Sequence, residues 1–461
     1  METFSGIRGV YDDGLDEQVA LRYSYSYLSF LKNKNNKKIK IVIGTDTRPS
    51  RKILKNAVIE SLDCEVIDLG IASTPMVEFC VRHYKASGGI IITASHNEPY
   101  WNGFKFLDKD GGILKAEDMD KIIKLYSKIK KLSNEKFSKN YLYKNFNLKS
   151  RTIQKKYDES NKEYVDYVLS FLSKNEKQQI RNSGLKVIID PNGGAGVIAR
   201  PVLEKLKVNV KGLNMKYGSF NRAVEPNEDS LFYLSNEVRI RNYDFAAGFD
   251  CDADRIEIVT RKGMVSGNEL LAMIADNILS KAKNKTIVVN NATSLMVREI
   301  AKKHNAKYVE TEVGETNVVS AMYRLKASIG GEGSSGGIII PDSRCRDGIL
   351  TLIFILKILA EKGKKIEELV GLLPGFYNLR SKVTIDSKKY SSTMKKVNTF
   401  YKKKNYKINK SGTSLKIMPS SNSFVWFRSS KTEANVLRVI VDSRLKKQSE
   451  ELMKEALSLI K

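Results

Sequence analysis

Histidine, cysteine and proline are all scarce in this chain of 461 residues, and each shortage excludes something. Only His83, His96 and His304 are present, so a histidine-rich metal centre is impossible and a histidine-based hydrolytic triad has almost nothing to draw on. The four cysteines, Cys64, Cys80, Cys251 and Cys345, form no CxxC pair, which argues against a zinc ribbon or a disulfide framework and fits a reducing, cytoplasmic setting. Nine prolines and no Gly/Ser-rich tract leave no long linker, so the domains are expected to sit close together. The longest apolar run, 349–356 (ILTLIFIL), is far short of the about 20 residues that span a bilayer, and METFSGIRGVYDDG lacks a signal-peptide pattern. No membrane association is expected.

One charge sign dominates: 79 Lys and Arg against 52 Asp and Glu give 79 − 52 = +27. Such a balance suits nucleic acid, a membrane surface or anionic substrates. The lysines are dispersed, and the densest stretch, 121–156, reads in part as a helix (DKIIKLYSKIKKL) with Ile123, Leu125 and Ile129 as its apolar side and the lysines as its solvated face. No Arg-rich tract or aromatic-interleaved strand is found there, so nucleic acid is not the expected partner.

One pattern recurs three times: an apolar run ending in a polar residue, a helical stretch, a second short strand, then a third strand followed by an unusual loop. The first runs are 39–46 (IKIVIGTD), 185–190 (LKVIID) and 286–290 (TIVVN); the second are 65–69, 208–213 and 307–311; the third are 89–93, 244–249 and 327–330. Short apolar runs alternating with helices predict buried, mostly parallel strands in α/β units. After about residue 375 the pattern becomes a smaller α+β module. The predicted division is 1–150, 151–260, 261–372 and 373–461.

In open α/β sheets ligands lie beyond the carboxyl ends of the strands, which directs attention to the loops TASHNEPYWNG (93–103), DCDADR (250–255) and GEGSSGG (331–337). Asp250, Asp252 and Asp254 are three hard oxygen donors that repel one another unless a cation neutralises them, and Mg²⁺ suits them better than an exposed acidic turn does. Ser95, beside His96 and followed by Lys105, is a candidate nucleophile or a turn serine bonded to its own backbone. Gly331, Glu332, Ser334 and Ser335 combine close backbone approach with hydroxyl-binding groups, a mixture suited to a sugar. Arg428, Ser430, Lys431 and Thr432 have a phosphate-binding composition, or form a basic turn, and Arg8 is a further anion contact.

Taken together, these residues resemble the α-D-phosphohexomutases. GIRG (6–9), GTDTRPS (44–50), STP (73–75), TASHN (93–97) with NGFK (102–105), GFDCDADR (248–255), GGE (330–332) and R-x-S-x-T-E (428–433) follow the family's motifs in order along nearly the whole chain. The resemblance implies three similar α/β domains with mixed, mostly parallel sheets and a smaller C-terminal α+β domain around a central cleft. It implies that Ser95 carries a phosphoryl group and binds one Mg²⁺ with Asp250, Asp252 and Asp254. His96 and Lys105 would then assist at the reacting groups, and Arg8 and Arg255 would stabilise charge. Gly331, Glu332 and Ser334 or Ser335 would read the sugar, while Arg428, Ser430, Lys431 and Thr432 hold the unreactive phosphate. Glu98 departs from the family's Pro, the sugar loop is one residue longer and lacks its final His, and RSSKTEA replaces RPSGTEP.

The implied reaction interconverts hexose 1-phosphate and hexose 6-phosphate, glucose or mannose, through phosphoserine and a 1,6-bisphosphate, with glucose 1,6-bisphosphate as activator, in a cytoplasmic monomer or homodimer. Phosphoglucosamine mutase is the alternative. A Mg²⁺-dependent sugar phosphatase and a non-catalytic binder are remoter ones.

Overall fold

The computed structural model describes residues 2–3, 6–34, 38–131, 151–430 and 435–460. The chain divides into two bodies, Met1–Val265 with Gly337–Glu367, and Ser266–Gly336 with Glu368–Lys461. The boundary expected at 150 lies outside the described residues.

The first body holds two sheets. In the larger one the strands Lys40–Thr45, Glu65–Ile71 and Gly88–Ile92 are parallel, and Thr152–Lys155 extends the edge beyond Glu65–Ile71. The first and third strands, IVIGT and GGIII, are buried on both faces, which is why they read as continuous apolar runs rather than alternating ones. Two antiparallel strands, Trp101–Leu107 and Gly6–Tyr11, continue the sheet on the other side. The second sheet repeats the plan, with Lys186–Asp190 between the parallel strands Asn209–Gly212 and Phe245–Phe249, and an antiparallel continuation through Ile256–Thr260 and Gly263–Val265. The apolar run 349–356 belongs to the helix Gly348–Lys362, whose residues from Gly348 to Leu356 are all buried, so it is a core helix. Among the described residues, no helix is long and apolar enough to cross a membrane.

The second body repeats the plan a third time, with Thr286–Asn290 between the parallel strands Lys307–Thr311 and Ile329–Gly331. It also carries an antiparallel sheet in the order Tyr377–Thr384, Val436–Ser443, Ser423–Ser429, Ser414–Ser420, Lys407–Ser411. Val397 and Tyr401 of the helix Tyr390–Lys403, and Leu452 and Ala456 of Lys446–Ser458, pack with this sheet's apolar residues in one core.

Local signals fix several helix starts. Ser73 accepts from the Met76 amide and Pro75 follows in the first turn, so STP starts the helix Thr74–His83. Ser266 and Glu269 form a reciprocal capping box at Gly267–Lys281. The lysine-rich helix Ala116–Lys130 buries Met119, Ile122, Tyr126 and Ile129. Of the expected apolar side, Ile129 is buried, while Ile123 and Leu125 are half-buried and pack at the margin of core clusters. The lysines beyond 131, up to 149, lie outside the described residues.

Candidate active site

In the first body, Ser95 follows the strand Gly88–Ile92 and adopts the left-handed conformation, φ 52°. Such a conformation is uncommon for a residue with a Cβ and needs support from its surroundings. The Ser95 amide donates to Thr93 Oγ1 at 2.9 Å, and its carbonyl accepts from Arg48 Nη2 at 2.7 Å. The hydroxyl donates to Asp250 Oδ2 at 3.0 Å, and His96 Nδ1 lies 3.5 Å from it. Nothing in this arrangement makes Ser95 merely a turn serine, because its Oγ points to a carboxylate of another repeat.

Asp250, Asp252 and Asp254 sit on the turn between Phe245–Phe249 and Ile256–Thr260, all buried. Ala253, at φ 54°, bends the turn so that ligand oxygens of the three carboxylates lie within 4.8 Å of one another. Burial and the neighbouring Asp254 and Asp252 push the Asp250 carboxyl well above its ordinary range. Burial also acts on Asp254, but Lys105, Arg346 and Arg255 outweigh it and hold that carboxyl low. Oδ1 of Asp252 and Oδ1 of Asp254 are buried without a hydrogen-bond partner among the described residues. Buried, converging carboxylate oxygens without a hydrogen bond are the donor set that a hard divalent cation takes, so the residues present fit Mg²⁺.

Lys105 lies on the strand Trp101–Leu107, and its Nζ donates to Asp252 Oδ2 at 2.7 Å, Thr74 Oγ1 at 3.1 Å and Asp254 Oδ2 at 3.3 Å. The loop expected over 93–103 thus becomes strand at Trp101. Arg8, opposite Gly103 in the neighbouring strand, donates to Asn97 Oδ1 at 3.0 Å. A Cβ at Gly103 would lie 2.1 Å from the Ile7 carbonyl, so glycine is what lets these strands pair beside Arg8. Arg255 approaches Asp254 Oδ1 at 3.9 Å, Asp250 Oδ2 at 4.0 Å and Glu225 Oε1 at 3.6 Å. The charge of Arg255, then burial and Arg8, drive the His96 imidazole far below its ordinary titration range, so it is neutral. Glu98, the departure from the family's Pro, accepts from the Val224 amide at 3.4 Å and so ties the serine loop to the second repeat.

In the second body, Gly331 ends the strand Ile329–Gly331 instead of opening the loop. Glu332 is buried, and its Oε1 accepts from Asn290 Nδ2 at 2.8 Å and from the Gly314 amide at 3.2 Å. Ser334 is exposed and Ser335 half-buried. Arg428 lies on the strand Ser423–Ser429 and not in a turn; it is buried, 4.0 Å from Glu312, and its Nε has no hydrogen-bond partner among the described residues. The Ser430 amide donates to the Val436 carbonyl at 2.7 Å. Lys431 and Thr432 lie outside the described residues.

Several residues escaped the sequence reading. Thr74 donates to Asp252 Oδ2 at 2.6 Å, and its amide to the Asp252 carbonyl at 2.9 Å. Arg346 Nη2 stands 3.6 Å from Asp254 Oδ1. Arg380 holds the sugar loop by donating to the carbonyls of Gly333 at 2.7 Å and Ser334 at 3.1 Å. STP and the RCRDG that precedes the core helix were the available signals for the first two. Arg380 sits in an ordinary strand and had none.

Comparison with known proteins follows the same layout. Profiles of the phosphoglucomutase/phosphomannomutase α/β/α domains I, II and III match residues 3–133, 162–263 and 266–376. A phosphoglucomutase/phosphomannomutase of Thermococcus kodakarensis is 31% identical over 99% of this chain and 97% of its own length. A protein of Pyrococcus horikoshii named "Probable phosphoglucosamine mutase" is also 31% identical, over 99% of this chain and 97% of its own. Among solved structures, a phosphoglucomutase/phosphomannomutase family protein from Burkholderia thailandensis superposes with a TM-score of 0.83 at 19% identity, covering 98% of this chain and 96% of the other.

Proposed function

Because the chain belongs to the phosphoglucomutase/phosphomannomutase family, we propose that it interconverts hexose 1-phosphate and hexose 6-phosphate, of glucose or mannose, with Ser95 as the phosphoryl carrier. It is a phosphohexomutase, an enzyme of phosphoryl transfer. The observation that carries the residue assignment is the Ser95 hydroxyl 3.0 Å from Asp250, at the head of three buried, converging carboxylates.

In the proposed cycle the P–Oγ bond of phospho-Ser95 breaks as a new P–O bond forms to the free hydroxyl of a sugar phosphate, and the proton of that hydroxyl ends on the departing Ser95 Oγ. The product is a 1,6-bisphosphate. After the sugar is re-presented the other way round, its second phosphoryl returns to Ser95. His96, held neutral by the cations around it, offers a ring nitrogen 3.5 Å from the Ser95 hydroxyl as an orienting partner and not as a base, and Lys105, Arg8 and Arg255 offset the charge of the transferring group. Mg²⁺ held by Asp250, Asp252, Asp254 and the Ser95 phosphate would neutralise phosphoryl oxygens. Glu332, with the backbone at Gly331 and with Ser334 or Ser335, reads the sugar hydroxyls. Arg428 holds the unreactive phosphate with Ser430, Lys431 and Thr432; its buried Nε supports that role.

Glucose 1,6-bisphosphate is the proposed primer, the setting is cytoplasmic, and the working form is a monomer or homodimer. The test is turnover with Mg²⁺ and a trace of that bisphosphate, with mass spectrometry of Ser95. Wild-type protein converts glucose and mannose 1-phosphates and carries phosphate on Ser95, whereas Ser95→Ala binds substrate without turnover. Full activity of Ser95→Ala ends the reading. The likeness to the Pyrococcus horikoshii protein supports a second reading, glucosamine phosphate as substrate; turnover of glucosamine 1-phosphate alone would select it.

A further inference from the structure

All three α/β repeats end their first parallel strand in the same way. Asp46, Asp190 and Asn290 each stand at the strand's carboxyl end, at most 1% exposed. Oδ1 of each accepts from the amide two residues on: Arg48 at 3.0 Å, Asn192 at 2.8 Å and Ala292 at 3.1 Å. The remaining side-chain atom reaches, directly or through an arginine, the loop or loop boundary that follows the third strand of the same repeat.

In the first repeat Asp46 Oδ2 accepts from Arg48 Nε at 2.9 Å. Arg48, fully buried, then donates Nη2 to the carbonyls of Ser95 at 2.7 Å and Asn97 at 2.5 Å, and Nη1 to those of Trp101 at 3.1 Å and Glu98. In the second, Asp190 Oδ2 accepts from Arg222 Nε at 3.2 Å, and Arg222 Nη2 donates at 2.8 Å to the carbonyl of Phe249, the residue before Asp250. In the third, Asn290 Nδ2 donates to the Glu332 carboxylate at 2.8 Å without an intermediary.

We propose that Arg48, Arg222 and Asn290 are positioning residues, one per repeat, each setting the geometry of one loop: the serine that carries phosphate, the metal-binding turn and the sugar-reading carboxylate. The inference rests on the reading of Ser95, the aspartates and Glu332 given above. Its physical basis is that loop carbonyls inside a protein have no strand partner and must be satisfied by something rigid. A guanidinium fixed by a buried carboxylate presents several donors in one plane, whereas an ammonium presents a compact point charge and cannot span four carbonyls. The bonds from Arg48 and Arg222 to the loops end on backbone carbonyls and reach neither Ser95 Oγ nor a triad carboxylate, so a defect there passes through loop geometry, whereas Asn290 orients the Glu332 carboxylate itself; each latch should disturb a different parameter.

The test uses Arg48→Lys, Arg222→Lys and Asn290→Leu in the full chain, with Leu62→Ala, which loses core packing elsewhere in the first body, as a control for lost stability. Three quantities are read: the single-turnover rate of transfer from phospho-Ser95, the Mn²⁺ dissociation constant by calorimetry, and KM for the sugar phosphate. Sub-ångström to ångström misplacement costs about ten- to a hundredfold in rate. Arg48→Lys should lose that much in transfer with Mn²⁺ affinity and KM within about twofold of wild type. Arg222→Lys should weaken Mn²⁺ about tenfold, and Asn290→Leu should raise KM about tenfold. Folded variants with all three quantities unchanged, or a uniform loss matched by Leu62→Ala, overturn the inference. If wild-type protein itself carries no phosphate on Ser95 and turns over nothing, the functional reading fails instead. Wild-type turnover together with an unaffected Arg48→Lys sinks the latch alone.

Discussion

Lys105 Nζ lies 2.7 Å from Asp252 Oδ2 and 3.3 Å from Asp254 Oδ2, a buried ammonium set among three buried carboxylates. The triad therefore carries part of its own neutralisation. Removing one partner of a buried ion pair costs about 3–5 kcal/mol, because the other charge is left unpaired. Lys105→Met should accordingly lower thermal stability strongly in a chelator and recover part of it in millimolar Mg²⁺. The Mg²⁺-induced rise in Tm should exceed that of the wild type. Equal rises in the two proteins would mean that the ammonium does not compensate the triad.

Thr74 supports the same residue from another direction, its hydroxyl donating to the Asp252 carboxylate at 2.6 Å and its amide to the Asp252 backbone carbonyl at 2.9 Å. Thr74→Val keeps the volume and the amide bond but deletes the hydroxyl. A hydrogen bond to a charged group contributes about 1.5–3 kcal/mol. The expected result is weaker divalent-ion binding, by about tenfold, measured by calorimetry with Mn²⁺, with little change in KM for the sugar phosphate. Unchanged binding would show that Lys105 alone orients Asp252.

Much of this arrangement was readable in the sequence. The parallel strands could be found because burial on both faces leaves uninterrupted apolar runs such as IVIG, and Asp250, Asp252 and Asp254 because three carboxylates at alternate positions after such a run are costly without a cation. The antiparallel partners were harder. Trp101–Leu107 carries NGFK at its start, so its chemistry read as loop while its backbone pairs as strand. The apolar side of Ala116–Lys130 was read in part: Ile129 is buried and Ile123 and Leu125 are half-buried against core clusters, but the most buried positions, Met119, Ile122 and Tyr126, were not singled out. The roles of Arg222 and Arg380, and of Arg48 within GTDTRPS, were hidden for a different reason: the bonds to the Ser95, Phe249 and Gly333 carbonyls span 47, 27 and 47 residues, and a carbonyl has no sequence signature.

Gly333 offers a steric test of the sugar loop. A Cβ there would fall 1.8 Å from Asn268 Oδ1, which is itself engaged by the Ser294 amide at 2.9 Å. Overpacking of this kind costs about 1–3 kcal/mol. Gly333→Ala should therefore displace Glu332 and raise KM by about tenfold, while phosphate on Ser95 forms normally from glucose 1,6-bisphosphate. A variant with unaltered KM would mean that the loop yields without moving its carboxylate.

Asp347 gives a prediction about pH and stability. Its Oδ1 caps the core helix by accepting from the Leu350 amide at 2.9 Å, and its Oδ2 accepts from Tyr164 at 2.8 Å. Burial raises its pKa from 3.8 to about 6, against the lowering effect of those hydrogen bonds. Below pH 3.8 the carboxyl is protonated in both folded and unfolded chains and contributes no difference. Between 3.8 and about 6 the folded protein holds a proton that the unfolded chain has released, so stability falls as pH rises. Above 6 the full cost remains, about 3 kcal/mol for a shift of this size. Asp347→Asn keeps a good cap and can donate to the Tyr164 oxygen, so it removes the charge without removing the contacts. Denaturant unfolding at a series of pH values should show the variant gaining on the wild type as pH rises from 4 to 7. A difference between the two that does not vary with pH would mean that Asp347 is ionised in the folded protein throughout that range.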